Sequence, residues 1–314
     1  MRIGVIFPGQ GSQIVGMGAL AAQTYPAARE CFRAAKHVVG YDLFALCADG
    51  PESVLRETRY AQPAIFVTNV ALRAAVGDAL DPVVSAGHSF GEYCSLYIAG
   101  AMSFEAALSL VNERALAMHR AAEQSAGAMA AVLGLEPATL RSVVGATVAA
   151  GTGRVQLANF NAPGQIVISG DVEAVRAAGE AAVAVGAKRV VSLNVAGAWH
   201  SALMEPARAA FSRFVRSAPI MLPRFTVISN VDARPYADVA TIRDHLERSV
   251  TDEVRWHETA LALAAMQLDL IVEFGASPVL APMMKRIAGA PRAISVKDVA
   301  GIERLRAMLA PARV

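Results

Sequence analysis

The order in which two kinds of apolar segment follow one another constrains the fold more than any other feature of the sequence. Short runs rich in valine and isoleucine alternate with longer alanine-rich segments whose apolar residues recur at helical spacing. Strands separated by helices predict a parallel sheet with helices on both faces. The predicted strands cover residues 2–7, 82–86, 225–230, 270–274 and 293–296. The predicted helices between them include residues 16–22, 27–38, 62–76, 92–99 and 104–123.

The middle of the chain departs from this alternation. Its predicted elements are strands at residues 128–133, 155–159, 165–169 and 189–195 and helices at 137–144 and 171–185. A turn signal, Asn161-Ala162-Pro163-Gly164, separates the second and third of these strands. The order β-α-β-β-α-β is the ferredoxin-like arrangement. We therefore predict an α/β fold in which a large domain (residues 1–126 and 196–314) carries an inserted ferredoxin-like subdomain (residues 127–195).

Composition excludes several classes of protein. The chain is 54% hydrophobic with a mean hydropathy of +0.39, yet it has no run of the 18 or so consecutive apolar residues that a spanning helix needs. A net charge of +2 without a dense basic run gives no support for nucleic-acid binding. The three cysteines show no metal-ligand spacing and cannot all pair, which is typical of a reducing compartment. We expect a cytoplasmic protein that contacts neither nucleic acid nor membrane.

The stretch Gly87-His88-Ser89-Phe90-Gly91 follows a predicted strand and precedes a predicted helix. G-x-S-x-G in that position is typical of a nucleophile elbow, where small residues let the backbone turn sharply and expose the serine hydroxyl. The N-terminus of the following helix would stabilise an oxyanion there. The same residues, read as S-x-x-E from Ser89, also fit a capping box with a purely structural role. The motif alone leaves both interpretations open.

A nucleophilic serine needs a base, and His200 is the best placed of the six histidines. It lies in a turn of small residues after a predicted strand, and loops at strand ends are where the sites of α/β proteins assemble. His88 adjoins Ser89, but neighbours in a tight turn point in different directions. We expect His119 to pack on an amphipathic helix. The remaining histidines are expected to be solvated: His37, His245 and His257.

The loop after the first predicted strand, FPGQGSQ at residues 7–13, is rich in small residues. Such a loop can approach a ligand closely and offer backbone N–H groups to an oxyanion. A flexible turn without a function is the alternative that composition leaves open.

Taken together, these segments resemble the malonyl-CoA:acyl carrier protein transacylase family, which serves fatty-acid and polyketide synthases. The motifs that carry the resemblance are FPGQGSQ (7–13), GHSFGE (87–92), Arg114 within NERALAM, NFNAPGQIVISG (159–170) and GAWHS (197–201). They occur in the family's order over nearly the whole chain. The resemblance implies an α/β-hydrolase-like large domain with a parallel sheet and an inserted ferredoxin-like subdomain.

The resemblance also implies a role for individual residues. Ser89 would be the nucleophile and His200 its base, and the backbone N–H groups of Gln10 and Phe90 would form the oxyanion hole. Arg114 would hold the free carboxylate of malonate with two parallel hydrogen bonds, which a lysine cannot supply. Four further residues would contact the substrate: Gln62, Trp199, His88 and Asn159.

The implied activity is transfer of a malonyl group from malonyl-CoA to the phosphopantetheine thiol of an acyl carrier protein, for polyketide assembly. The expected partners are the carrier protein and the coenzyme A thioester, without a metal or cofactor, and a monomer is expected. An acyl hydrolase that removes stalled acyl groups from carrier proteins is the alternative. It would share Ser89 and His200 but lack the carboxylate clamp. An idle interaction module, the third hypothesis, would not need this whole set of residues.

The chain departs from the family pattern at two pocket positions and in one loop. Phe90 replaces the usual leucine and Trp199 the usual phenylalanine, so we expect a pocket that is either tight and suited to malonyl or reshaped for another group. Ser249 and Asp252-Glu253 replace a glutamine and a serine-proline pair before the V-R-W sequence at 254–256. In the family a backbone carbonyl of this loop orients the histidine. These departures favour polyketide service.

Overall fold

Nine strands form two separate sheets in the computed structural model of the protein, which describes residues 1–310. The strands are β1 (Ile3–Phe7), β2 (Pro82–Gly87), β3 (Gly127–Leu133), β4 (Val155–Ala162), β5 (Gln165–Asp171), β6 (Arg189–Ser192), β7 (Thr226–Ile228), β8 (Leu270–Phe274) and β9 (Ala293–Val296). The helices are α1 (Ala19–Thr24), α2 (Pro26–Val39), α3 (Leu43–Asp49), α4 (Glu52–Leu55), α5 (Thr58–Val76), α6 (Gly91–Ile98), α7 (Phe104–Gln124), α8 (Pro137–Ala149), α9 (Val172–Ala184), α10 (Glu205–Ser217), α11 (Val239–Arg248), α12 (Trp256–Ala265), α13 (Leu280–Met284) and α14 (Val299–Leu309). A short 3₁₀ helix spans Ala202–Met204.

The large sheet has the strand order β7-β2-β1-β8-β9, and all neighbouring strands are parallel. Every residue of β1 and β8 is buried, because helices cover both faces. This confirms the predicted parallel sheet. β7 is shorter than predicted, since the chain turns at Ser229, whose N–H donates to the carbonyl of Arg234. Asn230 therefore lies beyond the strand end.

The small sheet has the order β4-β5-β3-β6, and all of its neighbours are antiparallel. With its two helices, this is the predicted ferredoxin-like arrangement, so the α/β fold class is confirmed. The last strand, β6, ends at Ser192, three residues before the predicted end. The chain then runs toward His200.

The two faces of the small sheet pack against different parts of the molecule. Alternate residues such as Val132 and Ile168 join α8 and α9 in a core of their own. The intervening residues, including Met129 and Val167, belong to the large core beneath the parallel sheet. Side chains of successive strand residues point to opposite faces, so the small sheet forms a wall against the large domain. This separate core supports the predicted division at residues 127–195, which stays a prediction.

The carboxyl ends of β1, β2 and β7 meet at one edge of the large sheet, where Phe7 pairs with Gly87 and Ala86 with Ile228. Loops at this edge of a parallel sheet are the usual place for a site. Within residues 1–310, none of the helices has the length and apolar character to cross a bilayer.

Candidate active site

Ser89 lies in a sharp turn between β2 and α6, with a backbone φ of 52°. This conformation costs an L-residue about 1–3 kcal/mol and is found where the surroundings enforce it. A Cβ on Gly87 would lie 1.9 Å from the carbonyl carbon of Gly91, and a Cβ on Gly91 would lie 2.4 Å from the Phe7 oxygen. The turn therefore requires both glycines. The N-cap of α6 is Phe90, without a side-chain cap, so the capping-box interpretation is wrong.

The Ser89 hydroxyl and the His200 ring are in direct contact. Ser89 Oγ lies 2.8 Å from His200 Nε2, and His200 Nδ1 lies 3.1 Å from the Asp252 carbonyl oxygen. A carbonyl only accepts hydrogen bonds, so Nδ1 carries the proton and Nε2 is free to accept from the serine. The expected backbone contact in the 249–253 loop is thus present despite the substitutions there.

His200 is held in its neutral form. Burial lowers its pKa to about 3, and the positive charge of Arg114 and the neighbouring His88 contribute to the shift. An imidazole that is neutral at ordinary pH can take the serine proton at once.

Arg114, on α7, is fully buried beside the nucleophile. Its Nη1 donates to Gln62 Oε1 at 2.8 Å and its Nη2 to Ser89 Oγ at 3.3 Å, while its Nε has no partner. Burial lowers its pKa, and no carboxylate within residues 1–310 forms an ion pair with it. A buried cation without a counter-ion is costly, so this guanidinium is a prepared site for an anion.

Two backbone N–H groups near the serine are unused. Among the hydrogen bonds of residues 1–310, none is donated by the N–H of Gln10 or of Phe90. The Gln10 side chain fixes its loop by donating to Thr58 Oγ1 at 3.0 Å. Free N–H groups of this kind suit an oxyanion.

A cavity of about 90 Å³ opens onto Ser89 and His200. Pockets for drug-sized ligands start at about 300 Å³, so this one suits a short acyl group. The predicted contact residues Gln62, His88, Asn159 and Trp199 all line it. Its apolar wall also includes side chains that the sequence did not single out: Met118, Met129, Leu193 and Val195.

Phe90 does not border this cavity, contrary to expectation. Its side chain is buried in the large core. Of the two substituted positions, Trp199 is the one that lines the cavity. The prediction that both departures flank the acyl group is therefore wrong for Phe90.

His88 takes no part in the serine–histidine pair. Its Nε2 lies 2.8 Å from Asn161 Oδ1 on β4, and burial lowers its pKa. Of the histidines expected to be solvated, His245 is buried and its Nδ1 lies 2.9 Å from Ser229 Oγ. Tertiary packing of α11 onto the loop after β7 brings it inside.

Three residues that contact the catalytic segment were missed in the sequence. Asn230 bonds the backbone of Ser89, and Glu92 bonds Asn230. Gln156, on β4, donates to the carbonyl oxygens of His200 and Thr251 at 3.3 and 3.4 Å and accepts from the N–H of residue 202. Asn230 is the last residue of the predicted strand 225–230, and the rule that selected His200 from a strand end could have found it once the strand was ended at Ile228. No pattern in the sequence around Gln156 marks it as a residue of the site.

This arrangement has the parts needed for nucleophilic acyl transfer. It combines a serine, a neutral histidine, two free N–H groups and an unpaired buried cation in a small cavity. In the part of the chain from residue 1 to 310, no three His, Cys, Asp or Glu side chains are grouped so that they could hold a metal ion.

Comparison with known proteins gives a consistent result. The acyl transferase domain family matches residues 5–306. The malonyl CoA-acyl carrier protein transacylase of Haemophilus influenzae is 38% identical over 312 residues, covering 98% of this chain and 99% of that protein. The solved structure of an acyl carrier protein S-malonyltransferase from Vibrio cholerae is 36% identical, with a TM-score of 0.92, and covers 97% of this chain and 100% of that one.

A second solved structure adds information about a partner. It contains a type II PKS acyl-carrier protein in complex with its malonyl-transacylase, is 35% identical with a TM-score of 0.93, and covers 98% of this chain and 100% of that one. The chain is an acyltransferase enzyme. It belongs to the acyl transferase family, among the malonyl-CoA:acyl carrier protein transacylases that its motifs resemble.

Proposed function

We propose that the protein moves a malonyl group from malonyl-CoA to the phosphopantetheine thiol of an acyl carrier protein, with Ser89 as the covalent carrier. The names of its relatives in Haemophilus influenzae and Vibrio cholerae support the donor and acceptor classes. The geometry around Ser89 supports the covalent route.

In the first half-reaction, the Ser89 hydroxyl gives its proton to His200 Nε2 while Oγ attacks the thioester carbonyl of malonyl-CoA. The resulting oxyanion accepts hydrogen bonds from the Gln10 and Phe90 N–H groups. The tetrahedral intermediate collapses, the carbon–sulfur bond breaks, and the coenzyme A thiolate takes the proton from His200. Malonyl-Ser89 and free coenzyme A remain.

In the second half-reaction, the carrier protein's thiol takes the place of coenzyme A. His200 accepts the thiol proton as the sulfur attacks the ester carbonyl, and the same N–H groups hold the oxyanion. The ester bond then breaks and Ser89 recovers its proton from His200. No cofactor or metal enters either half-reaction.

The observation that carries the malonyl assignment is Arg114. Its guanidinium lies within 3.3 Å of the nucleophile, is fully buried and has an unused Nε, so the free carboxylate of malonate would complete its pairing. A hydrolase acting on neutral acyl chains has no use for such a cation. The small cavity also leaves no room for a long stalled chain.

We further propose polyketide assembly as the process served. The similarity to the malonyl-transacylase solved with a type II PKS acyl-carrier protein supports this, together with the substitution at Trp199. Offering the enzyme purified carrier proteins of both kinds tests it. Faster malonyl transfer to the polyketide carrier supports the proposal, and faster transfer to the fatty-acid carrier contradicts it.

Intact-protein mass spectrometry tests the main proposal. After brief incubation with malonyl-CoA, a malonyl adduct should appear on the wild-type enzyme and be lost when a phosphopantetheinylated carrier protein is added. Ser89→Ala should show no adduct. Steady hydrolysis of acylated carrier protein without any malonyl adduct would instead establish the hydrolase.

Arg114→Ala tests the carboxylate clamp separately. Losing one partner of a buried charge pair costs about 2–5 kcal/mol, so malonyl transfer should fall by about 10²-fold or more while acetyl transfer is retained or rises. Arg120→Ala, on the exposed face of the same helix, is the matched control and should behave as wild type. Equal loss of both activities in Arg114→Ala would contradict the clamp.

A further inference from the structure

The strained backbone of Ser89 is held by one side chain from a different loop. Asn230 Oδ1 accepts from the Ser89 N–H at 3.0 Å, and Asn230 Nδ2 donates to the Ser89 carbonyl oxygen at 3.1 Å. Both polar groups of the residue with φ of 52° are thus bonded to the same amide. Gly87 and Gly91 make the turn sterically possible, and two backbone hydrogen bonds close it: the Gly91 N–H donates to the His88 carbonyl at 3.0 Å and the Glu92 N–H to the Ser89 carbonyl at 3.2 Å.

The orientation of the Asn230 amide is itself fixed. Glu92 Oε1 accepts from the Asn230 backbone N–H at 3.1 Å, and Glu92 Oε2 accepts from Asn230 Nδ2 at 2.9 Å. Tyr236 donates to the same carboxyl group at 2.8 Å. Since Glu92 offers acceptors on this side, the NH₂ group of Asn230 must face it and Oδ1 must face the Ser89 N–H. All of these groups are buried or nearly so.

This contact determines where the neighbouring N–H groups point. The Ser89 N–H is engaged with Asn230 and is not available to an oxyanion. The Ser89 carbonyl and the Phe90 N–H belong to one planar trans peptide, so they point in opposite directions. Asn230 Nδ2 and the Glu92 N–H both donate to this carbonyl, so the Phe90 N–H points away from these donors and is free, as observed.

We propose that Asn230 is a positioning residue that fixes the peptide groups on both sides of Ser89 and so directs the Phe90 N–H at the oxyanion, with Glu92 fixing the Asn230 amide. This inference rests on the proposed function, which supplies the reaction in which the oxyanion forms. The geometry of the turn does not depend on it. Asn230 touches no reacting atom. Its effect reaches the reaction through the Ser89 and Phe90 backbone.

The position of Asn230 follows from the sheet. It lies two residues after β7, which is the neighbour of β2, so the ends of both strands lie side by side. Its own carbonyl accepts from the Arg255 N–H at 3.0 Å, which fixes the backbone that carries the amide. The contact thus joins two loops from one edge of the parallel sheet.

The test is the rate constant of acyl-enzyme formation, measured by rapid quench with malonyl-CoA. Removing an oxyanion donor usually costs about 10²–10³-fold, so Asn230→Ala should lower this rate constant by about 10²-fold. KM should change by less than about threefold, because substrate contacts remain. Ser212→Ala removes a buried hydrogen bond to Glu247 far from the site and is the control for lost stability. An unchanged rate constant in Asn230→Ala, or an effect on KM alone, would overturn the proposal.

A second pair of variants remains informative if Asn230→Ala does not fold. Asn230→Asp places a carboxylate opposite Glu92, and the rate constant of acyl-enzyme formation should fall strongly in this variant. Adding Glu92→Gln removes the repulsion between the two carboxylates but returns no donor to the Ser89 carbonyl. The double variant should therefore fold and still keep at least about a tenfold loss of the acylation rate constant. A merely space-filling role predicts a return to the wild-type rate constant once the repulsion is removed, and such a return would overturn the proposal.

p-Nitrophenyl acetate separates this inference from the proposed function. Acetylation of Ser89 by this ester needs the turn and the oxyanion donors but neither the carboxylate clamp nor a carrier protein. If wild type reacts with the ester but not with malonyl-CoA, the proposed function fails, and the Asn230 variants still test the positioning role. If all variants react with the ester as fast as wild type, the positioning role fails alone.

Discussion

The parallel sheet contributes to the active site through loops at its strand ends, whereas the antiparallel sheet contributes through side chains along its paired strands, of which β4 shifts register between Leu157 and Asn159. Ser89 and Asn230 follow β2 and β7 in turns with unusual geometry. From the small sheet, Gln156 and Asn159 project from β4 and Met129 from β3. The two regions therefore place functional groups by different physical means.

This difference predicts which positions tolerate substitution without loss of activity. A strained turn needs glycines where backbones nearly touch and a buried polar contact for each N–H and C=O. A strand needs only the right residue on every second position, because its ladder of hydrogen bonds does not depend on the side chains. Substitutions on the parallel-sheet side should therefore cost most activity, and those on the small-sheet side progressively less.

Gly87→Ala should have the largest effect. Its Cβ would lie 1.9 Å from a backbone carbon of Gly91, so the turn must open and Ser89 must leave His200. We expect loss of acyl-enzyme formation by at least about 10³-fold, as when a member of a catalytic triad is removed. Mass spectrometry after malonyl-CoA treatment measures it, with circular dichroism to verify folding. A folded variant with more than a tenth of wild-type activity would contradict the conclusion that the turn at Ser89 is the less tolerant of the two regions.

Gln156→Leu should have an intermediate effect. The change keeps the shape of the side chain but leaves the carbonyls of His200 and Thr251 without their donor. We expect a fall in kcat of about tenfold, because the His200 loop loses the side chain that bonds it to β4, and little change in KM. Gln165→Leu on the neighbouring strand, outside the site, is the control. An effect on KM without one on kcat would show that β4 binds substrate and does not position the base.

The pH dependence of acylation should be flatter than a histidine base usually gives. His200 lies between the two sheets, and with burial, Arg114 and His88 its pKa falls to about 3, so its active neutral form persists at all higher pH. Between pH 8 and pH 5, kcat/KM should change by less than about twofold, whereas a base with a pKa of 6.5 would lose about 30-fold.

The pH dependence of kcat reports the pKa of His200 in the enzyme–substrate complex, whereas that of kcat/KM reports its pKa in the free enzyme. Bound malonate would neutralise the Arg114 charge, which removes one cause of the lowered pKa of His200. The inflexion in kcat should therefore lie at higher pH than that in kcat/KM. An inflexion near pH 6.5 in kcat/KM itself would contradict the burial of the base.

Gly145→Ala should have the smallest effect on activity and a favourable one on stability. Gly145 lies inside α8 on the outer face of the small sheet, and a Cβ there would meet no atom within 4 Å. Replacing such a helical glycine stabilises a protein by about 0.5–1 kcal/mol. Thermal unfolding should show a higher Tm at unchanged kcat. Reduced activity would mean that the outer helices of the small sheet are coupled to the site.

The sequence was sufficient for the type of both sheets, one parallel and one in a ferredoxin-like arrangement, and for the local features of the site. Each of these is encoded by neighbouring residues: the strand patterns, the small residues around Ser89 and the turn before His200. The S-x-x-E pattern shows the limit of local reasoning. Glu92 bonds Asn230 instead of capping the helix, and only the pairing of β2 with β7 makes that possible.

Contacts across the fold could not be predicted from one sequence. Gln156 reaches the His200 loop across a sequence separation of 44 residues, and nothing local marks it among the polar residues of β4. The burial of Phe90 depends on which face of α6 packs into the core, and the backbone pattern before that helix does not specify it.

Arg114 also places thermal stability and substrate choice in opposition. A guanidinium buried without a direct ion pair lowers the stability of the empty enzyme, because the cost of removing its charge from water is not repaid. Selection for heat resistance alone would therefore favour the loss of the side chain that recognises the carboxylate. An engineer who screens this enzyme for robustness should retain a malonyl-dependent selection at every round.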